Sequence, residues 1–235
     1  IETMDFLQRN LFTRLRAEIF HTAEEMEPMT TYKHGKIEQM IRNIESVPAG
    51  EVALRKGFLN RRLIKIQTEE RHAIDTSVET LYLLRIIVSN ITGTLTMGIP
   101  LRGITQLGLY LRTRGDKVDF VKLDKWLDRL HIRRMAQLQG SILIEFFDFD
   151  ADEIPFVHHL ESSAYKSTLR SLNYNAQDYD EQMHFRQNAT GFVSTNSRNL
   201  RRNLRRSIRY FDLAPIETTS NFVYKFFKSL SEIEE

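Results

Sequence analysis

The chain has 235 residues, 41% of them hydrophobic and 27% charged, with a formal net charge of +2; this composition suits a folded globular protein and excludes wholesale disorder. It has no Cys, which excludes disulfides and thiolate metal sites and favours a reducing compartment such as the cytoplasm. The longest apolar run, residues 81–91, contains Arg85 and is too short to cross a bilayer.

The N-terminal segment, residues 1–75, is predicted to contain three helices. Apolar residues that recur every three or four positions place these helices at 2–26, 36–47 and 51–72. Pro48-Ala49-Gly50 separates the second helix from the third. Because the chain begins with Ile1 rather than Met, we expect further residues upstream of it.

The central segment, residues 76–160, is predicted to form the helical core, because it has the densest aliphatic content. Thr76 and Glu79 have the spacing of a capping box for a helix over 78–91. Pro100 is expected in the first turn of the next helix, because the N–H that Pro lacks would have no partner within the helix there. This helix is predicted to end near residue 113.

Two more helices are predicted in this segment. Asp119 is expected to cap the first, and a second covers 133–147 and ends in an acidic run, residues 148–153. The inner side of the helix that Asp119 caps is predicted to consist of Val121, Trp126, Leu127 and Leu130.

The C-terminal segment, residues 161–235, has a weaker pattern. Residues 173–197, rich in Asn, Gln, Thr and Ser, indicate a loop or one short hairpin. Helical spacing returns on either side, at 164–172, 197–211 and 214–231. Together the three segments predict an all-α protein, a multi-helix orthogonal bundle of about eight helices that packs as one compact domain.

The helix over 197–211 has a concentrated cationic face. Its apolar residues share one narrow sector, which we expect to face the core: Leu200, Leu204, Ile208 and Phe211. Six arginines occupy the other side: Arg198, Arg201, Arg202, Arg205, Arg206 and Arg209. Arg suits bidentate binding of phosphate or carboxylate. This face therefore indicates contact with a nucleotide, a nucleic acid or an acidic partner, or else a solvated surface that pairs with carboxylates such as those of residues 145–153.

No catalytic residue, cofactor site or metal ligand is predicted. Gly140-Ser141 followed by Asp148 and Asp150 imitates a nucleotidyltransferase site, in which a Gly-Ser turn, a helix and a strand with two acidic residues bind Mg²⁺ and triphosphate. Only six residues separate Ser141 from Asp148, too few for a helix and a returning strand. A calcium loop starting at Asp148 fails because Glu153 replaces the required Gly.

Five short motifs carry a family resemblance. They are Gly98-Ile99-Pro100-Leu101-Arg102, Val118-Asp119-Phe120, Trp126-Leu127, Ile142-Leu143 and Asp152-Glu153-Ile154-Pro155-Phe156. Over residues 78–156 the chain resembles the helical C-terminal half of an uncharacterised bacterial nucleotidyltransferase-like family. Arg102-Gly103-Ile104-Thr105-Gln106 departs from the family's R-Q-L-x-D because it has no acidic residue, and the family's catalytic half is not recognisable in residues 1–75.

The resemblance implies a non-catalytic helical binding or regulatory module, whose partner is another protein or an upstream catalytic domain and not a membrane. One alternative is a fragment of a nucleotidyltransferase-type enzyme with its active site elsewhere, in which Arg102, Arg201 and Arg205 help to hold phosphate. Another is a nucleic-acid-binding regulator that uses the Arg-rich helix. The candidate residues for binding phosphate or an acidic partner are therefore Arg102 and the six arginines of that helix.

Overall fold

The structure is a computed structural model that describes residues 3–73, 77–172 and 204–231. Within these ranges all regular elements are helices, which confirms the predicted all-α class. Ten α-helices are present there, against the eight or so predicted. Their bounds are α1 Phe6–Phe20, α2 Thr31–Ser46, α3 Gly57–His72, α4 Val78–Met97, α5 Leu101–Arg114, α6 Phe120–Arg129, α7 Arg133–Phe147, α8 at 164–172, α9 at 204–211 and α10 Pro215–Ser231.

The N-terminal helices differ from the prediction mainly at their ends. α1 stops at Phe20 and not near residue 26, because His21 adopts a left-handed backbone conformation with φ 57°. α2 begins at Thr31, five residues earlier than predicted, since Thr30 caps it by accepting a hydrogen bond from Lys33 N. α3 begins at Gly57 and not at residue 51.

α4 is the central helix, and it runs on to Met97 where the sequence predicted a break after residue 91. Its Thr residues do not interrupt it, because Thr94 Oγ1 donates to Asn90 O four residues earlier, at 2.8 Å. The predicted capping box is wrong: the residue before the helix is Ser77, whose side chain makes no capping hydrogen bond, and Thr76 lies outside the described residues.

α6 begins as predicted, with Asp119 Oδ1 accepting a hydrogen bond from Lys122 N at 2.9 Å. Its inner side was predicted correctly except for Val121, which is 68% exposed. Val121 stands two positions before the fully buried Leu123, about 200° away around the helix, and so it points outward. α7 has the predicted bounds, Arg133–Phe147.

The helices share a single cluster of buried apolar side chains that extends from Leu11 to Ala214. α4 lies in the middle and contacts α3, α5, α6, α7 and α10, whereas α1 lies against α2, α5 and α7. Among the described residues, no helix has the combination of length and apolarity that a membrane span requires. The predicted loop or hairpin at 173–197 falls outside the described residues.

Candidate functional site

A cleft of about 360 Å³ opens where α4 and α5 run side by side under the connection between α2 and α3. Tyr82, Arg85 and Asn90 enter it from α4, and Arg102 and Gln106 enter it from α5. The connection forms a mainly apolar wall that consists of Val47, Pro48, Ala49, Gly50 and Val52.

The register of the two helices fixes the positions of the cleft side chains. Asn90 Nδ2 donates to Gly103 O at 3.0 Å, and the rings of Tyr82 and Tyr110 lie with their centroids 5.0 Å apart. α4 and α5 are therefore antiparallel, and Arg102 is level with a residue near position 90 of α4. At a rise of about 1.5 Å per residue, Arg102 and Arg85 are separated by about 8 Å along the helix axes.

The wall is held tightly to α4. Ser89 Oγ donates to Gly50 O at 2.7 Å, and Thr92 Oγ1 lies 3.1 Å from Ala53 O. A Cβ at position 50 would lie 2.0 Å from Ser89 O and 2.5 Å from Gly93 N, so only Gly allows this close approach. The predicted chain break at residues 48–50 is thus also one side of the cleft.

The floor is made by a buried amide network. Asn90 Nδ2 also donates to Gln139 Oε1 at 3.0 Å, and Gln139 Nε2 donates to Ile87 O at 3.1 Å. A Cβ at Gly103 would lie 1.9 Å from Asn90 Oδ1, so this position too requires Gly. The network ties α4 to α5 and α7 and makes the base of the cleft rigid.

The two cleft arginines have few partners of their own. Arg102 Nη1 donates to Glu45 O at 3.2 Å, and both side chains are exposed. In the described part of the chain, no carboxylate lies within ion-pair distance of Arg85 or Arg102. Their N–H donors are therefore available to a ligand.

The charges in the cleft have one sign. Its lining contains Arg85 and Arg102 but no Asp, Glu, His or Lys. The nearest group with a shifted pKa is the phenol of Tyr110, which lies behind Tyr82. The pKa of Tyr110 is raised mainly by burial and then by Glu79. A cleft with two guanidinium groups, amide and phenol donors and no carboxylate can bind an anion, but its lining contains no carboxylate or imidazole to act as a general base or to hold a hard cation.

The Arg-rich helix is only partly described. Arg198, Arg201 and Arg202 lie outside the described residues. Arg205 is exposed, Arg209 is half-buried, and Arg206 Nη1 donates to Thr96 O at the end of α4. The described phosphate-binding candidates therefore do not share one site: Arg102 lies in the cleft, and Arg206 is tied to the backbone of α4.

The orientation predicted for this helix is wrong. In its described part, 204–211, the buried residue is Tyr210, whereas Leu204, Ile208 and Phe211 are exposed; Leu200 lies outside the described residues. The bond from Arg206 to Thr96 O and the burial of Tyr210 turn α9 so that its apolar sector points outward. Burial raises the pKa of Tyr210.

The acidic run after α7 pairs with α5. Arg112 Nε lies 2.9 Å from Glu153 Oε1, Arg112 Nη2 donates to Asp148 O at 3.0 Å, and its guanidinium lies 3.8 Å from the centroid of the Phe149 ring. No described Arg of α9 contacts this run. The Arg112 hydrogen bond holds the pKa of the Glu153 carboxyl below its usual value.

Gly140-Ser141, the pair that imitates part of a nucleotidyltransferase site, makes contacts that stabilise the fold. Ser141 lies inside α7, as predicted, where its Oγ donates to Gln137 O at 2.8 Å and accepts from Glu161 N at 2.9 Å. A Cβ at Gly140 would lie 2.2 Å from Val157 Cγ2, so Gly140 serves packing. No cluster of three or more potential metal ligands occurs among the described residues.

Sequence reasoning missed Arg85, Gln106 and Tyr82 as members of a site. One signal was present: Arg85 is the only charged residue in the apolar run 81–91. A charge in such a run marks the stripe of the helix that reaches solvent or a cavity. Nothing local to the sequence indicated that the segment around Gly50 folds over this stripe.

A scan against protein-family models, a search of curated proteins and a search of solved structures each gave no match.

Proposed function

We propose that this chain is a non-catalytic helical binding module that holds a phosphate-bearing anion in the cleft between α4 and α5. One observation carries the proposal: the charged groups in the cleft lining are Arg85 and Arg102, and the described residues leave both without a carboxylate. A ligand with negative charge would satisfy them with charge-assisted hydrogen bonds.

The geometry favours a ligand with more than one anionic group. Arg85 and Arg102 start about 8 Å apart along the helix axes, and long side chains can converge on neighbouring phosphates from that separation. Gln106 and the Tyr82 phenol supply neutral donors beside them. The apolar wall at Val47, Pro48 and Val52 gives the ligand an apolar surface beside these charged and polar contacts.

We also propose the family relationship, cellular compartment and partner that the sequence suggested. The module is related to the accessory half of nucleotidyltransferase-like proteins, acts in the bacterial cytoplasm, and works with another protein or with an upstream catalytic domain. The enzyme-fragment alternative gives Arg102 a similar role but requires bound Mg²⁺ and nucleotide. The nucleic-acid alternative depends on Arg205 and Arg209, the exposed and half-exposed cations of α9.

The test is titration calorimetry with inorganic pyrophosphate and with ATP, each with and without Mg²⁺, on the full chain. Arg85→Gln and Arg102→Gln are expected to weaken pyrophosphate binding at least tenfold each, because each removes one charged contact. Arg114→Gln is the matched control. Arg114 lies on the same helix as Arg102, is exposed, and is about 18 Å from it along the axis.

The outcomes separate the alternatives. Loss of pyrophosphate affinity in both cleft variants, an unchanged Arg114→Gln variant and no gain from Mg²⁺ support the proposal. Absence of pyrophosphate and ATP binding, or equal binding by all three variants, would overturn it. Binding of ATP only with Mg²⁺ would favour the enzyme fragment, and binding of a DNA duplex that Arg205→Gln weakens but Arg102→Gln does not would favour the nucleic-acid regulator.

A further inference from the structure

The C-terminal helices expose an apolar groove that is separate from the cleft. Leu204, Ile208 and Phe211 form one stripe on α9, and Thr218, Thr219 and Phe222 face them from α10. The groove has a volume of about 280 Å³. Ile208 is 68% exposed and Phe211 is 53% exposed, which is unusual for adjacent large apolar side chains of a folded chain.

This exposure follows from contacts that fix α9 in its orientation. Tyr210 is 1% exposed, and Thr218 Oγ1 of α10 donates to Tyr210 O at 3.2 Å. Arg134 Nη1 donates to Asp212 O at 2.8 Å just beyond the end of α9. Rotating the helix to bury its apolar stripe would break these contacts and expose Tyr210, so the stripe is a fixed outward surface.

The groove has a cationic flank. Ser207 lines the groove on the side of α10, and the 3.6-residue period then places Arg205 and Arg209 on the opposite side of the stripe. No described carboxylate lies within ion-pair distance of Arg205 or Arg209. The neighbouring Asp212 instead pairs with Arg134, whose Nη1 lies 3.3 Å from Asp212 Oδ2. The flank therefore presents positive charge to whatever covers the groove.

We propose that this groove docks an amphipathic helix of a partner protein that carries Asp or Glu beside its apolar face. Side chains at 204, 208 and 211 have the i, i+4, i+7 spacing that fits between the ridges of another helix, over about 10 Å of axis. Acidic residues on the partner would meet Arg205 and Arg209. A nucleic acid fits less well, because Leu204 and Ile208, two of the three stripe residues, give its phosphates no donor and its bases no ring to stack on, although Phe211 and Phe222 do offer rings.

The experiment is a display selection on the intact protein. The library consists of 14-residue peptides with apolar residues at helical i, i+3, i+4, i+7 spacing and with flanking positions randomised among Asp, Glu, Lys, Arg, Ser and Gln. Ile208→Asp is the disrupting variant. Val121→Asp is its matched control, because Val121 and Ile208 are both 68% exposed on helices of this chain.

Enriched peptides are expected to carry Asp or Glu on their flanks, to bind Ile208→Asp at least tenfold more weakly than the unmodified protein, and to bind Val121→Asp with unchanged affinity. Arg205→Gln with Arg209→Gln should reduce the acidic preference. Enrichment of basic flanks, equal binding to both Asp variants, or a selection without discriminating binders would overturn the proposal. So would tight binding to phosphatidylserine vesicles or to a DNA duplex without peptide binding. Circular dichroism melting of each variant verifies that it is folded.

Discussion

The two ends of α5 carry arginines in opposite situations. At the C-terminal end, Arg112 contacts Glu153, Asp148 O and the faces of Phe20 and Phe149. At the N-terminal end, Arg102 has one described hydrogen bond, to Glu45 O, and lies in a cleft without carboxylates. Arg therefore stabilises the fold through its contacts at one end of α5, whereas at the other end it has no described carboxylate partner and can bind a ligand.

Arg133 and Arg134, at the start of α7, follow the first pattern. Arg134 forms a bidentate ion pair with Glu161 and also contacts Asp212. Arg133 forms ion pairs with Asp124 and Asp128. The contrast between the two ends of α5 separates structural cations from binding cations in a chain with 33 Lys and Arg residues. A structural arginine has an anion that the fold itself supplies, whereas Arg85 and Arg102 have none in the described part of the chain and also line a cleft. Substitutions should reveal this difference.

The largest loss of stability is expected for Arg134→Ala. Glu161 is 4% exposed, and removing Arg134 would leave a buried carboxylate without its bidentate partner and, among the described residues, with only His159 Nε2, 3.5 Å from Oε1, beside it. We expect a cost of about 3 kcal/mol, or a melting midpoint lower by roughly 6–12 °C. Differential scanning calorimetry measures it, with Arg114→Ala as the control that should change the midpoint little. Equal melting of the two variants would show that the Arg134 pair contributes nothing.

Arg112→Ala should cost about 2 kcal/mol, because it removes an ion pair, a carbonyl hydrogen bond and two ring contacts. Its effect should also depend on pH. The pKa of Glu153 is lowered below 4.5 in the folded protein, chiefly by Arg112. The stabilisation is therefore complete above pH 4.5 and is lost as the pH falls through the folded-state value. Urea unfolding at pH 7 and at pH 3 tests this, and a pH-independent cost would contradict it.

Glu145→Met is expected to stabilise the protein. Glu145 Oε2 is buried and has no hydrogen-bond partner among the described residues, and burial raises the pKa of Glu145 above 4.5. The ionised carboxylate therefore lowers stability at neutral pH, and this penalty disappears as the pH falls through the raised value towards 4.5. Because the side chain is partly exposed, we expect a gain of only about 0.5–1 kcal/mol at pH 7.

Thermal melting of Glu145→Met at pH 7 and pH 4 measures that gain. The advantage of the variant should be larger at pH 7. A variant that is less stable than the parent at both values would show that Glu145 has a favourable contact.

The smallest effects on stability are expected for the cleft arginines. Arg85→Gln and Arg102→Gln should each change the free energy of unfolding by no more than about 0.5 kcal/mol, because neither breaks an ion pair. Chemical unfolding of the ligand-free protein measures this. A loss of stability as large as that of Arg112→Ala would show that Arg85 and Arg102 stabilise the fold, and the two ends of α5 would then not differ.

The sequence predicted the elements of the fold better than their boundaries. The spacing of apolar residues and the helix-breaking residues between them located α1 to α7, and Asp119 was correctly identified as a cap. The missed boundaries, such as the early end of α1 at Phe20 and the continuation of α4 to Met97, depend on His21 adopting a left-handed conformation and on threonines bonding within the helix. Local propensity does not determine these choices, because tertiary packing selects among them.

The candidate site was harder to predict than the fold. Arg102 was singled out, but the cleft also needs Arg85 on another helix and a wall formed by residues 47–52. The apolar sector of the Arg-rich helix was assumed to face inward, and the burial of Tyr210 reverses it. Both features depend on long-range contacts, and neither spacing nor composition contains that information.

The central claim is most directly tested by calorimetric titration of inorganic pyrophosphate into Arg102→Gln and Arg114→Gln at the same salt concentration. The two variants have the same net charge and differ in which end of α5 is changed. We expect Arg102→Gln to bind at least tenfold more weakly than the unmodified protein, whereas Arg114→Gln should keep its affinity within about twofold. Equal affinities in the two variants would contradict it, because the anion would then respond to overall charge and not to the cleft.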